Sequence, residues 1–297
     1  MKWNQYLIGV FGLFFCLSSY GQTNMLNAKS PDDIGKLSDT QLEVKKKSKP
    51  LEYGYVDERD ILWSKNIWEI IDLDERVNFP LYYPIDTNNI GSNRRSLYDV
   101  LMTGIKSGKI KNIYADAYFN EKRTLEGIRA AISKIDTTDL GVEQYNAGEQ
   151  IDQQYINRRD ITSADIAEYH IRGMWYFDKR QAEMKYRLLG IAPVAPDVNF
   201  LDDEEPDLVE LFWVWFPDAR EILFENEAFN GGNTSQSITY DHLLNARRFN
   251  AVIYKEDNVQ GDRGVNDYIT ENAFMQLLES QRIKEQIRNF EQDMWNY

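Results

Sequence analysis

Cysteine and histidine, the residues that most often carry reactive or metal-binding chemistry, are nearly missing from this chain: one cysteine and two histidines in 297 residues. Cys16 lies within an N-terminal apolar run, so a chain shortened behind that run has no thiol, no disulfide and no thiolate metal site. A core of this size holds without disulfides even in an oxidising compartment. Histidine is the usual acid or base near neutral pH. His170 and His242 stand far apart and in no metal-ligand spacing such as H-E-x-x-H, and read as core or surface residues. No G-x-S-x-G nucleophile elbow occurs. Gly104-Ile105-Lys106-Ser107-Gly108-Lys109 has three residues between its glycines where a phosphate loop has four, and Ile110 stands where a hydroxyl should meet magnesium. That segment reads as the end of a helix. The run Asp202-Asp203-Glu204-Glu205 lacks the spaced ligands and glycine turn of a calcium loop and reads as a solvated stretch before Pro206. Beyond the N-terminus no apolar stretch approaches ~18 residues, and no repeat with a period of ~20–50 residues is visible.

What is present starts with Met1-Lys2, an apolar core from Tyr6 to Leu17, and the small residues Ser18, Ser19 and Gly21. That order is a secretory signal peptide with its cut after Gly21. Leu13-Phe14-Phe15-Cys16 departs from a lipoprotein box, which wants small side chains before the cysteine, so no lipid anchor is expected. The predicted organisation is a signal at 1–21, an extended N-terminal arm at 22–52 holding the basic run Lys45-Lys46-Lys47, and one folded domain at 53–297. The signal implies export, with no later span of the membrane. With 48 acidic against 34 basic residues the formal net charge is −14, which opposes binding to nucleic acid and adsorption to anionic membranes.

Within the domain, Asp57 caps a predicted helix whose Trp63, Ile67, Ile70 and Ile71 share a face. Trp68 lies off that stripe, so the helix meets two surfaces or leaves an indole exposed. Ser96 with Asp99 opens a second helix that stops at Gly108. A strand is expected at Lys109–Tyr114, a helix at Thr124–Ile132, and a long polar loop at 136–168 with a short helix near Ser163. From His170 the texture turns to strand: Met174–Phe177 leads through a turn into Met184–Ile191, where apolar and basic residues alternate. Leu211–Phe216 has no polar position and is expected to be covered on both faces. A helix at Asp241–Arg248, a strand at Ala251–Tyr254 and a terminal helix at Asp267–Trp295 follow. The stripe of the last jumps by five between Leu278 and Ile283, so its halves bend or face different surfaces. The fold class is α+β: a single domain with a mainly antiparallel sheet packed by helices, a long C-terminal helix and the extended arm.

Aromatic side chains make up 13% of the chain, dense enough to supply partner surface as well as core. Asp60-Ile61-Leu62-Trp63-Ser64-Lys65 continuing to Trp68, Pro80-Leu81-Tyr82-Tyr83-Pro84, Ser96-Leu97-Tyr98-Asp99-Val100-Leu101, Trp175-Tyr176-Phe177-Asp178-Lys179, Glu210–Pro217 and terminal Asp293-Met294-Trp295 together resemble the GldN/PorN family. The resemblance implies a non-enzymatic structural subunit of the type IX secretion and gliding machinery, with no cofactor. It implies periplasmic rings formed with a GldK/PorK-like outer-membrane lipoprotein, and contact with the periplasmic domain of a GldM/PorM-like motor protein. The expected partner-binding residues are Lys45, Lys46 and Lys47 in the arm, Trp63, Trp68, Tyr82 and Tyr83, and Trp213 and Trp215 in the apolar strand. A second reading stays open here: a periplasmic carbohydrate-binding or carbohydrate-active module, which two convergent acids beside an exposed tryptophan in one cleft would favour.

Overall fold

A period of two residues governs the segment that opens the folded body. The computed structural model describes residues 30, 43, 47–86, 94–148, 152–200, 206–233, 238–270 and 272–295. Where a helix is expected after Asp57 it has a strand of 12 residues, β1 (Ile61–Asp72). The reason is the spacing itself: Trp63, Ile67 and Ile71 are four apart, which aligns side chains on a helix and equally on one face of a strand. The density of isoleucine and tryptophan favours the strand. Trp68, an odd number of residues from Trp63, therefore points to the opposite face. Asp57 does cap, but only the 3-10 turn Glu58–Asp60, by accepting from the Arg59 amide.

The other strands are β2 (Ile113–Tyr114), β3 (Ser133–Thr137), β4 (Ile156–Asp160), β5 (Glu168–Asp178), β6 (Glu183–Pro196), β7 (Leu208–Glu210), β8 (Trp213–Trp215), β9 (Glu227–Ala228), β10 (Ile238–Thr239) and β11 (Val252–Glu256). The helices are α1 (Phe79–Tyr82), α2 (Leu97–Lys106), α3 (Leu125–Ile132), α4 (Asp139–Asn146), α5 (Phe216–Glu225), α6 (Tyr240–Asn245), α7 (Val265–Tyr268) and α8 (Ala273–Trp295). Seven strands form one sheet in the order β11-β1-β5-β6-β8-β2, with β7 beside β6, and its pairings are antiparallel. This is the predicted α+β class with a long C-terminal helix. Contacts divide the chain into two units, Met1–Ser48 with Asn89–Ser92, and Lys49–Asn88 with Asn93–Tyr297. In the first, Glu43 and Lys47, expected in an extended arm, are helical and form an exposed ion pair one turn apart; the sheet and helices α1–α8 belong to the second.

Helices cover one face of the sheet. Leu101 and Ile105 of α2, Phe216 and Leu223 of α5, and Leu244 of α6 are buried in one cluster with Ile71, Ile171, Ile191 and Val214. Further along that face, Ile283 and Ile287 of α8 close over Ile67 and Ile253. Between the two clusters lies Glu69, 1% exposed, held bidentately by Arg247 at 2.7 and 2.8 Å. The Arg247 guanidinium also lies 4.1 Å from the ring centroid of Tyr186. The opposite face carries Trp68, Ala192 and Trp213, packed by Tyr114, Ala117, Phe119 and Tyr254. Trp213 and Val214 thus point to opposite layers, and the apolar strand is covered on both faces as its composition predicts.

Several boundaries follow from caps. The Ser96 hydroxyl accepts from the Asp99 amide at the start of α2, and Gly108 follows that helix with φ 73°. Thr124 caps α3, and Phe216 leaves the strand to begin α5, with Pro217 in its first turn. The expected strand at Lys109–Tyr114 shrinks to Ile113–Tyr114. The stretch expected as a loop at 136–168 instead holds α4 and the hairpin β3–β4, beside the 3-10 turn Ser163–Asp165. Its strands, Ser-Lys-Ile-Asp-Thr and Ile-Asn-Arg-Arg-Asp, are mostly polar, so hydrophobic alternation does not report them. The terminal helix ends at Trp295 as expected but starts at Ala273, because α7 is a separate turn. Its broken stripe has a plain cause: Ile283 and Ile287 are buried, whereas Phe274, Met275, Leu277 and Leu278 are exposed.

Breaking a buried ion pair on one side leaves the other charge without a partner. Glu69→Ala is expected to lower stability in urea unfolding by about 3 kcal/mol or more, and Glu69→Leu with Arg247→Met to recover most of the loss.

Candidate interaction surface

Trp68 and Trp213 are the innermost of the expected partner residues, both 0% exposed. Their cover is the turn between β2 and α3. The Asp116 carboxylate accepts from the amides of Tyr118, Asn120 and Glu121, which folds the turn back on itself. Phe119, at φ 63°, lays its ring against Gly190, where any Cβ would lie 2.5 Å from it. The same ring meets Trp215 edge-on at 4.9 Å and Trp213 at 6.4 Å, leaving Trp215 half-buried. Over Trp68 lie the Arg172 guanidinium at 5.0 Å and the Lys255 ammonium at 4.8 Å, with Tyr118 at 5.5 Å. Cations over ring faces keep an electrostatic partner without a carboxylate. On the helix side Trp63 stacks on Phe290 of α8 at 4.8 Å.

Tyr82 and Tyr83 are placed differently. Asn78, fully buried, donates to the carbonyls of Asp72 and Asn250 and accepts from the Asn250 amide, fixing the start of α1. Leu81 is buried and the Tyr82 hydroxyl donates to the Ala164 carbonyl at 3.0 Å. These anchors leave Val77, Phe79, Tyr83 and Ile85 exposed, Tyr83 by 47%. Phe79 and Tyr82 both meet Tyr83 edge-on, at 5.5 and 4.8 Å, so the patch is a braced aromatic surface. Sequence reasoning finds the two tyrosines but passes over Val77, Phe79 and Ile85; Tyr83 before Pro84 is extended as a residue preceding proline should be, whereas Phe79 before Pro80 is helical, Pro80 standing in the first turn of α1. A second apolar surface is formed by the exposed first turns of α8. Lys47 is exposed, whereas Lys45, Lys46, Cys16 and Asp202–Glu205 lie outside the described residues.

The histidines divide in the same way. His242 is exposed on α6. His170, on β5, is mostly buried, with Nδ1 2.7 Å from Glu210 Oε1, Nε2 3.3 Å from Glu168 Oε2, and its ring tilted 5.1 Å from Tyr254. The other Glu210 oxygen accepts from the Trp213 indole at 2.6 Å. Burial pulls the His170 pKa down, but the hydrogen bonds and charges of the two glutamates outweigh it and raise the value above 6.5. Burial pushes Glu210 up, and its bonds to His170 and Trp213 bring it below the usual value. The group is a clamp joining β5, β7 and β8. In the cleft between α8 and the sheet, both oxygens of Glu69 are engaged by Arg247, whose guanidinium lies 5.5 Å from the Trp175 ring. That acid and that indole are committed to the fold.

The family model described as "Gliding motility associated protein GldN" matches residues 56–296 of the chain. No curated protein matches it.

A histidine with a raised folded pKa stabilises the fold below its unfolded value and loses that contribution as pH rises through the folded value. Stability of the native chain is therefore expected to fall as pH climbs from 6.5 through the raised folded value, and His170→Gln to flatten this dependence. Chemical unfolding at a series of pH values checks it; an identical slope in both proteins contradicts the clamp.

Proposed function

The chain belongs to the GldN family of gliding motility associated proteins, and from that premise we propose that it is a non-catalytic structural subunit of the type IX secretion and gliding machinery. In this reading the signal at 1–21 exports it to the periplasm, where it assembles with a GldK/PorK-like outer-membrane lipoprotein into rings and meets the periplasmic domain of a GldM/PorM-like motor protein. Among the described residues no helix is long and apolar enough to cross a membrane, and the lipoprotein supplies the attachment.

The observation that carries the reading is the braced patch of Val77, Phe79, Tyr83 and Ile85. Large apolar side chains set on a rigid turn, with their neighbours anchored inward, have already lost the freedom that a partner would otherwise have to restrict. Exposed aromatic anchors of this kind dominate interface energetics. The commitments of His170 support a structural role as well, since both ring nitrogens are engaged by glutamates.

Co-purification of the tagged chain from detergent-solubilised envelopes, read by mass spectrometry and light scattering, tests the proposal. A large particle containing an outer-membrane lipoprotein is expected. Val77→Ser with Tyr83→Ala is expected to weaken lipoprotein retention about tenfold at an unchanged unfolding midpoint. A lone monomer, or full retention by the double variant, would count against it.

A further inference from the structure

Ahead of β1 the segment Lys49–Val56 crosses the body as an extended strap, and one side chain fastens it. The Tyr53 ring centroid lies 4.1 Å from the Arg220 guanidinium and 4.6 Å from that of Arg187. Its hydroxyl donates to Asn245 Oδ1 at 2.6 Å. The same two arginines hold the strap's backbone: Arg220 Nη2 donates to the Leu51 carbonyl at 2.6 Å and Arg187 Nη2 to the Gly54 carbonyl at 3.1 Å. Asp241 fixes Arg220 through two bonds of 2.8 and 3.1 Å, and Asn245 in turn donates to Asp241. The groove thus recognises a tyrosine together with a carbonyl two residues before it and one immediately after. The flanking residues Leu51 and Tyr55 are 86% and 81% exposed, so Tyr53 is the one large side chain of the strap that is largely covered. A cavity of about 430 Å³ remains beside it, lined in part by Glu52, Lys185, Phe224 and His242.

We propose that this groove is a peptide-docking site, and that in the assembled ring it takes the Leu51–Val56 strap of a second copy of the chain. The inference rests on the ring reading given above. The groove's contacts come from β6, α5 and α6, far along the chain from the strap, so a neighbour's strap meets the same atoms and exchange forfeits none of the clamp's bonds. The link to β1 is the short turn Glu58–Asp60, in which Glu58 and Arg59 are exposed. A strap given to the next copy's groove is a head-to-tail contact, the type that closes into rings, and exchange of a terminal element is a low-cost route to it. Copies of so acidic a chain repel one another, so a contact carried by an aromatic ring between cations suits their association better than net charge does.

Cysteine cross-linking in the purified particle tests it, the exported chain having lost Cys16 with the signal in this reading. Glu52→Cys and His242→Cys both line the cavity and neither belongs to the clamp. Particles assembled from a mixture of the two single variants are treated with a short bis-maleimide. Covalent dimers are expected in the mixture and not in either variant alone; Tyr53→Ala lowers their yield about tenfold and Tyr53→Phe retains most of it. If the chain carrying both cysteines closes only within itself in an assembled particle, and the mixture gives no dimer, the exchange is overturned while the ring reading stands. A chain that stays monomeric sinks both.

Discussion

A sheet that carries large apolar side chains on both faces must be covered twice, and this chain supplies helices for one side. Everything else in the body accommodates that constraint. The face with Ile67, Ile71, Ile171 and Ile191 takes α2, α5, α6 and α8. The face with Trp68 and Trp213 has the turn after β2 over it, which works because Asp116 ties the turn down and Gly190 leaves room for the Phe119 ring. Cations complete the cover, Arg172 and Lys255 lying over Trp68 with Tyr118. The pattern recurs in Arg247 on Tyr186 and in Arg187 and Arg220 on Tyr53. Charges that would be costly to bury alone are kept against ring faces, carbonyls or a carboxylate.

This arrangement divides the aromatic residues into two groups with different work. Trp68, Trp213 and Tyr254 hold the open face together, and Glu210 links them to His170 through the Trp213 indole. Tyr83 and Phe79 stand outside it, on a turn anchored through Asn78, Leu81 and Tyr82. The chain thus exposes a small aromatic surface and the start of α8, which in the proposed assembly face partners, while its tryptophan-rich centre packs the fold. The distinction bears on how variants are to be read: changes at the buried Trp68 or Trp213 act through stability, whereas in the proposed assembly changes at the exposed Tyr83 act through binding.

Much of the fold is legible in the sequence wherever local rules act alone. The Ser96 cap, the helix from Thr124 to Ile132, the Gly108 stop, the alternation from Met184 to Leu188 and the all-apolar strand around Trp213 each depend on neighbours a few residues away, and each is read correctly to within a few residues. Two failures have physical causes. The Trp63-Ile67-Ile71 spacing satisfies both periods, so composition and the long-range register with Phe177, Gly173 and Tyr169 decide it. The hairpin β3–β4 has hardly any apolar alternation to detect. The candidate surface is legible only in part, because exposure of Tyr83 against burial of Trp68 depends on long-range covers, the turn at 115–121 and the bonds between Asn78 and Asn250, that no local pattern encodes. The Tyr53 clamp is invisible for the same reason, its parts lying as far apart as Tyr53 and Asn245.

Hydroxyl-radical footprinting of the isolated chain and of the envelope-purified complex, read residue by residue by mass spectrometry, tests this division most directly. The account predicts that Phe79, Tyr83 and Ile85 are modified in the isolated chain and protected in the complex, with Trp68 and Trp213 unreactive in both. Strong modification of Trp68 or Trp213 in the isolated chain, lost on assembly while Tyr83 stays reactive, would contradict it.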